Sequence, residues 1–360
     1  MTETLAQLST VFLYAAMGLY AAAFIAFALD LARRGARATA AEAAVVPSAV
    51  ARRAAAAANS SGAPTTTLTV EGGPGGEAPP PPPPPSSALG RLSSRISERV
   101  EDDVMNGGGT ASLRWAFGFT IVGFAVQLVA VVLRGIAAAR VPWANMWEFS
   151  MTGTLVIIGV FLLANLKWDI KYVGTFVLGL VLVLQGIALL RYYVPVVPLQ
   201  PALQSYWLVI HIIVAVLGTA FFALGFALSG LQLLQYRRER QVAESRPQQF
   251  RFLQTLPGSV VLENLAYRIN IVGFIAWTFT LIAGAIWAEK AWGRYWGWDT
   301  KEVWTFIIWV IYAGYIHARA TRGWRGSRSA WLAIIGFAAV LFNFGIVNVF
   351  FHGLHAYSGL

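Results

Sequence analysis

Apolar runs of about 20 residues recur along this 360-residue chain, and they limit its possible folds more than any other feature. The composition agrees, with 57% hydrophobic residues, only 12% charged residues and a mean hydropathy of +0.60. Soluble proteins carry roughly 25% charged residues. The sequence therefore predicts an all-α fold, a polytopic transmembrane helix bundle of about eight spans.

The positions of the basic residues predict how these spans are oriented. The spans cover about 11–31, 115–133, 151–166, 172–190, 206–234, 269–288, 303–316 and 331–351. Of the 27 lysines and arginines, 21 lie in alternate segments, beginning with the stretch before the second span. Because basic loops stay in the cytoplasm, both termini are predicted to lie on the outer face of the membrane.

Three parts are predicted along the chain: an N-terminal transmembrane helix (1–34), a linker (35–112) and a seven-span core (113–360). The linker contains alanine tracts, serine and glycine clusters and a proline run at 79–85. Such a composition cannot bury enough apolar surface to order itself. It is therefore interpreted as a flexible, cytoplasmic spacer rich in alanine and proline.

The segment 287–306, WAEKAWGRYWGWDTKEVWTF, is unusually rich in tryptophan. An aromatic belt at the membrane interface explains about one to three such residues. It does not explain five tryptophans interleaved with Gly293, Gly297 and Asp299. Aromatic faces and glycines suit a large planar apolar ligand, because glycine allows close approach to the backbone. Lys301 and Arg294 could meet acidic groups at the edge of that ligand.

The four histidines all lie near predicted span ends. A single histidine at a membrane boundary is usually only a tolerated polar residue. Here, however, His211 precedes the tryptophan-rich segment, and His352 and His355 follow it on the same predicted face. Two opposed imidazoles are a standard haem ligation, so the pattern predicts bis-histidine haem binding. His317 lies at the opposite, cytoplasmic end of the seventh span.

Other chemistries find little support in the sequence. The chain contains no GxxxxGK[ST], HExxH or GxSxG motif. It also has no cysteine, so any thiol chemistry must use the thiols of another chain. Asp299 and Glu302 are the only close acidic pair in the tryptophan-rich segment, and a hydrolase is a poor fit.

The segment WGRYWGWDTKEVW resembles the WWD signature of haem-handling proteins in cytochrome c maturation. More closely, residues 114–360 resemble the CcsA/ResC-type subunit of the system II cytochrome c synthetase. Further matching segments are NMWE at 145–148, LQSYWLVIH ending at His211, YIHAR around His317 and GLHAYSG around His355. The chain departs from the family at Thr300, where proline is common, and in its long linker.

This resemblance implies a haem-handling core over 113–360, located in the plasma or inner membrane as a multi-pass protein. Such a subunit carries haem b to the outer face and presents it for thioether attachment to the CxxCH of apocytochrome c. It acts as a haem lyase with a CcsB/ResB-type membrane protein, and thiol-reducing thioredoxin-like proteins are further expected partners. Nucleic acid is not an expected partner.

The resemblance also implies roles for particular residues, with no catalytic residue beyond haem presentation. His211 and His355 are expected as the outer iron ligands, and His317 as an intramembrane ligand whose counterpart lies on the partner chain. The residues expected to contact haem are Trp292, Gly293, Trp296, Gly297, Trp298, Asp299, Trp304, Asn145 and Glu148.

Three alternatives remain open at this point. The WWD signature alone marks haem presentation, so a haem transporter or chaperone without ligation activity is the main one. A cytochrome b-type electron-transfer subunit would need histidine pairs in both leaflets, whereas the inner leaflet offers only His317. A polytopic transporter unrelated to haem is the third.

Overall fold

The computed structural model describes residues 2–60, 110–199, 203–247, 250–321, 323–351 and 353–355. Within these ranges the regular structure is helical and no strand occurs. The helices are α1 (Thr2–Ser60), α2 (Ala111–Ala138), α3 (Met146–Lys167), α4 (Gly174–Arg191), α5 (Tyr206–Ala243), α6 (Ser259–Trp292), α7 (Thr300–Thr321), α8 (Ser327–Leu341) and α9 (Asn348–Phe350). A π-helical turn, Phe342–Val347, joins α8 to α9.

Seven segments in the described ranges are long and apolar enough to cross a membrane. They lie in α1 up to Ala38, in α2 to α6, and in the continuous stretch Ser327–Phe350. The predicted polytopic helix bundle is thereby confirmed. The remaining predicted span, 303–316, lies within α7, which is helical and packs against α6 and α8. It is not among the seven segments, and it carries Glu302 in its first turn and Arg319 in its last turn.

The first helix does not end where the sequence analysis begins the linker. It continues from residue 35 through an alanine-rich stretch to Ser60. Alanine has the highest helix propensity, so this stretch extends a helix that has already begun. The proline run at 79–85 lies outside the described residues, as does the rest of 61–109. Flexibility of that part remains a prediction.

The core of the bundle is centred on α5, α6 and α7. Phe222 of α5 stacks on Tyr312 of α7 with ring centroids 3.6 Å apart and an interplanar angle of 6°. Trp277 of α6 closes the cluster, 5.9 Å from Phe222. On the other side of the bundle, α1 packs along α2, where Tyr20 donates a hydrogen bond of 2.7 Å to Gln127.

Small residues bring α5 and α6 into the most extensive helix contact of the described chain. A Cβ atom added at Gly218 would lie 3.3 Å from the backbone nitrogen of Trp277. One added at Gly273 would lie 2.8 Å from the ring of Phe222. Membrane helices associate through such close packing, because lipid provides no hydrophobic force between them. The spacing of α5 and α6 therefore depends on glycine.

We predict that Gly225→Ala lowers the free energy of unfolding by about 1–3 kcal/mol, as overpacking does. The added Cβ would clash with the side chain of Asn270, which is fully buried on α6. Gly230→Ala on the same helix is the control, because nothing lies within 4 Å of its added Cβ. Thermal unfolding followed by tryptophan fluorescence in detergent measures both. Equal stability of the two variants would contradict the prediction.

Candidate functional site

A large cavity lies at one end of the bundle, between α3, α5, α6, α7 and the π-helical turn. The space not occupied by atoms measures about 1610 Å³, including its opening to solvent. Its lining is mainly apolar and aromatic, as is typical of ligand-binding cavities. The lining residues with side chains able to bind or orient a ligand include His211, Trp287, Trp296, Lys301, Asn343 and His355.

His211 lies in the second turn of α5, and its ring reaches across to α6. Its Nδ1 is 3.0 Å from the carbonyl oxygen of Thr280. Because a carbonyl oxygen only accepts, Nδ1 carries the hydrogen and Nε2 keeps a free lone pair. The ring stacks on Trp287 at 5.8 Å with an interplanar angle of 14°. Gly284 leaves room for this ring, since an added Cβ would lie 2.8 Å from its Cε1.

His355 reaches the same cavity from the segment after α9. Its Nδ1 lies 2.5 Å from Oδ2 of Asp299. Its ring packs edge-on against two tryptophans, with centroids 5.5 Å from Trp287 and 4.9 Å from Trp292. A carboxylate accepts hydrogen from Nδ1, so Nε2 of the neutral imidazole again keeps a lone pair. Trp287, which is 2% exposed, therefore contacts both histidines.

Asp299 and Glu302 form a capping box at the start of α7. The backbone nitrogen of Glu302 donates to Oδ1 of Asp299 at 2.8 Å, and that of Asp299 donates to Oε2 of Glu302 at 3.2 Å. This reciprocal pair satisfies two amides of the first turn. Burial opposes ionisation of Asp299, but hydrogen bonding and attraction to His355 outweigh it and hold the pKa of this carboxyl below its usual range.

The ligand atoms of Asp299, Glu302 and His355 lie within 4.8 Å of one another, a spacing that would suit a metal ion. Three of the four carboxylate oxygens already accept hydrogen bonds, however. Oε2 of Glu302 also accepts from the backbone of Gly297 at 2.8 Å, and Asp299 accepts from α7 and from His355. The cluster is therefore explained by hydrogen bonds within the protein.

Lys301 brings a cation to the cavity wall. Its Nζ donates to Oδ1 of Asn348 at 2.6 Å and approaches the carbonyl oxygen of Asn343 at 3.4 Å. Asn343 begins the part of the π-helical turn that faces the cavity, and such turns often mark functional sites. Lys301 is thus held by polar atoms that an anionic group could replace or join.

Three buried polar atoms on the cavity wall have no hydrogen-bond partner among the described residues. They are Nε1 of Trp296, Oδ1 of Asn343 and Nδ2 of Asn145. More than nine in ten buried polar groups in proteins are paired, so an unpaired group needs an explanation. Their position on one cavity wall fits a ligand with polar groups at its edge.

Two glycines of the tryptophan-rich segment have backbone roles and do not line the cavity. Gly293 ends α6 in the left-handed conformation, with φ +71° and its amide bonded to the carbonyl of Glu289. Gly297 lies directly beneath the guanidinium of Arg294, where an added Cβ would clash. Direct contact of these two glycines with haem stays a prediction.

Three expected contact tryptophans also lie outside the cavity lining. Trp292 packs behind His355. Trp304 packs on Phe342 with ring centroids 4.3 Å apart. Trp298 is 74% exposed and has φ +58°, a conformation that is uncommon for residues other than glycine. Of the expected contacts, Trp296 and Asn145 lie on the cavity wall, and Asp299 accepts a hydrogen bond from His355.

Glu148 lies in a buried ion network rather than on the cavity wall. It is fully buried, 3.1 Å from Nε of Arg134 and 2.6 Å from Nη1 of Arg140. It also accepts from the backbone of Ala144 at 3.1 Å, and its own amide donates to the capping side chain of Asn145. Glu148 thereby fixes the loop that places Asn145 on the wall.

His317 is not brought to the cavity. His317 is exposed on α7, and its carbonyl oxygen accepts from Thr321 at 2.7 Å. An exposed imidazole at this position remains available to another chain. His352 lies outside the described residues.

Comparison with known proteins decides the family. Residues 143–355 match the family described as Cytochrome C assembly protein. The chain belongs to this family. It is of the CcsA type, as the sequence resemblance predicted, and it is therefore a cytochrome c biogenesis protein.

Individual relatives support this assignment. The chain is 34% identical over 248 residues to the cytochrome c biogenesis protein CcsA of Heterosigma akashiwo, covering 61% of this chain and 77% of the relative. The CcsA of Guillardia theta is 32% identical over 257 residues, covering 68% and 85%. A solved structure titled "Cytochrome c Heme Lyase CcmF" has a TM-score of 0.51 and 18% identity, over 74% of this chain and 48% of that chain. That last likeness concerns the fold alone.

This cytochrome c assembly protein also has wall residues that the sequence analysis did not single out. Trp287 contacts both histidines, although it was noted only as one tryptophan of five. Asn343 and Asn348 hold Lys301. The sequence does contain a signal for these two residues: they are asparagines in an otherwise apolar predicted span. Polar residues inside a membrane are usually functional.

We predict that Glu148→Gln lowers the free energy of unfolding by about 3–5 kcal/mol, because it leaves two arginines near the cavity without their counter-charge. Glu244→Gln is the matched control. It removes two exposed ion pairs, with Arg240 and Arg246, each of which contributes about 1 kcal/mol or less. Chemical unfolding in detergent compares the two. A similar loss in both variants would show that burial of the network adds nothing.

Proposed function

We propose that this chain binds haem as its substrate in the cavity, with His211 and His355 as the iron ligands. Two histidines from distant parts of the chain line one cavity, and this observation carries the proposal. Each donates Nδ1–H to an oxygen of the protein and keeps Nε2 for a metal, as ligating histidines usually do. The resemblance to CcsA-type proteins supports the same pair of ligands.

The remaining wall suits the other parts of haem. The flat apolar ring system of haem matches the aromatic lining that includes Trp296 and Trp287. The carboxylates at one edge of the molecule match Lys301 and the unpaired polar atoms of Trp296 and Asn343. The cavity therefore offers histidines for the iron, aromatic rings for the apolar ring system, and a cation with polar atoms for the carboxylates.

The bound haem is presented for thioether attachment to the CxxCH of an apocytochrome c. In this addition each cysteine sulfur bonds to one vinyl carbon and the thiol hydrogen goes to the other, so no net oxidation occurs. The chain has no cysteine, and both thiols belong to the client protein. Its own residues contribute by holding the substrate at a fixed orientation and by excluding water.

A second membrane chain of the CcsB/ResB type completes the system. The exposed position of His317, away from the cavity, supports an inner site that such a partner completes with its own histidine. In this arrangement haem b enters from the cytoplasmic side and reaches the cavity at the outer face of the plasma or inner membrane. Thioredoxin-like proteins would keep the client thiols reduced.

We predict that His211→Ala and His355→Ala each convert the bound haem from six-coordinate, low-spin to five-coordinate, with loss of maturation of a reporter cytochrome c. Added imidazole should restore the low-spin spectrum, because it replaces the missing ligand. Asp169→Asn is the control for the cavity spectrum, since Asp169 pairs with Lys171 in a loop that does not line the cavity. Absorption spectra of the purified full chain with its partner measure this. Unchanged spectra in both cavity variants would rule out the ligand assignment.

The alternative function is a haem transporter or chaperone without ligation activity. To distinguish the two functions, the haem-loaded complex is mixed with a reduced CxxCH peptide. Covalent haem on the peptide, detected by mass spectrometry, supports ligation. Transfer of haem without a covalent bond, in complexes with intact His211 and His355, would favour the alternative.

A further inference from the structure

Asp299 uses its two carboxylate oxygens for two different parts of the chain. Oδ1 accepts from the backbone of Glu302 and caps α7, at 2.8 Å. Oδ2 accepts from Nδ1 of His355 at 2.5 Å. Both side chains are largely buried, at 11% and 17% exposure. One side chain therefore connects the start of α7 to the segment that follows α9.

The segment that carries His355 has little regular structure of its own. After α9 the chain continues as an irregular turn at 353–355. A histidine in such a turn is not oriented by a helix, and its described contacts are the two tryptophan rings and Asp299. The rings limit where the imidazole lies, but they cannot select which nitrogen carries the hydrogen. Among the described contacts, only the carboxylate does that.

We infer that Asp299 is a positioning residue that makes His355 competent to ligate iron, by fixing its ring orientation and by holding the hydrogen on Nδ1 so that Nε2 is the ligand atom. The inference rests on the proposed function, since it assigns an orienting group to one of the two proposed ligands. It gives the aspartate of the tryptophan-rich segment a role in ligation without direct contact with haem.

The two proposed ligands then differ in their partners. His211 donates to a neutral backbone carbonyl at 3.0 Å, whereas His355 donates to a carboxylate at 2.5 Å. Charge-assisted hydrogen bonds are shorter and roughly twice as strong as neutral ones. A carboxylate partner also makes imidazole a more basic ligand. Asp299 is therefore expected to stabilise the ferric state and to lower the reduction potential of the bound haem.

Asp299→Asn tests this role while retaining the helix cap. The amide oxygen can still accept from Glu302, but the amide nitrogen donates toward Nδ1 and favours hydrogen on Nε2, which blocks ligation. We predict about a 10–100-fold loss of haem affinity, as outer-shell changes at metal sites produce. A five-coordinate spectrum and an upward shift in reduction potential should accompany it. Imidazole should rescue the spectrum, as it does for His355→Ala.

Asp169→Asn is the matched control, because Asp169 pairs with Lys171 in a loop that does not line the cavity. It should leave haem affinity, spectrum and potential unchanged. A second readout needs no haem: ¹⁵N spectra of histidine-labelled protein. The resonances missing in His355→Ala identify His355, which should carry hydrogen on Nδ1 in the parent chain and on Nε2 in Asp299→Asn.

The outcomes separate this inference from the proposed function. If His355→Ala loses the low-spin spectrum while Asp299→Asn keeps the parent affinity, spectrum and ¹⁵N pattern, the inference is overturned and the proposed function stands. If His355→Ala keeps the parent spectrum, the proposed ligation is overturned and the inference with it. Parallel loss in both variants, with rescue by imidazole, supports the inference.

Discussion

Every backbone amide and carbonyl that enters a lipid bilayer needs a partner inside the protein, and the α-helix provides one locally. This constraint accounts for the helical character of the described core. It also determines where a site can form. Irregular backbone occurs between α6 and α7 and after α9. Both segments contribute lining residues to the cavity.

The site depends on how closely α5 approaches α6. Glycines at the contact allow the two backbones to come together, and Gly284 leaves space for the ring of His211. The imidazole can then reach the carbonyl oxygen of Thr280 on α6. A wider separation would break this hydrogen bond and would move the ring away from Trp287. Packing within the bundle thus sets the orientation of a proposed ligand.

Hydropathy predicted the helices well, because burial in lipid imposes a simple pattern. It could not predict their ends: α1 and α5 continue beyond their apolar runs, to Ser60 and Ala243, since a helix need not stop where lipid stops. Charge alternation predicted that His211 and His355 would share one face, and both line the cavity. Charge alternation could not predict the direction in which each side chain points. In the structure Gly293 ends α6, and Glu148 forms an ion pair with Arg134.

Two carboxylates near the cavity, Glu148 and Asp299, have different roles because their neighbours differ. Glu148 lies between Arg134 and Arg140, so its charge is matched and it serves as a fixed support for the loop before α3. Asp299 instead meets a histidine, whose hydrogen it directs. Lys301 adds a cation to an apolar, aromatic wall. Such a wall favours a ligand with a flat apolar body and an anionic edge, and it disfavours a cationic or wholly polar one. Haem has that combination.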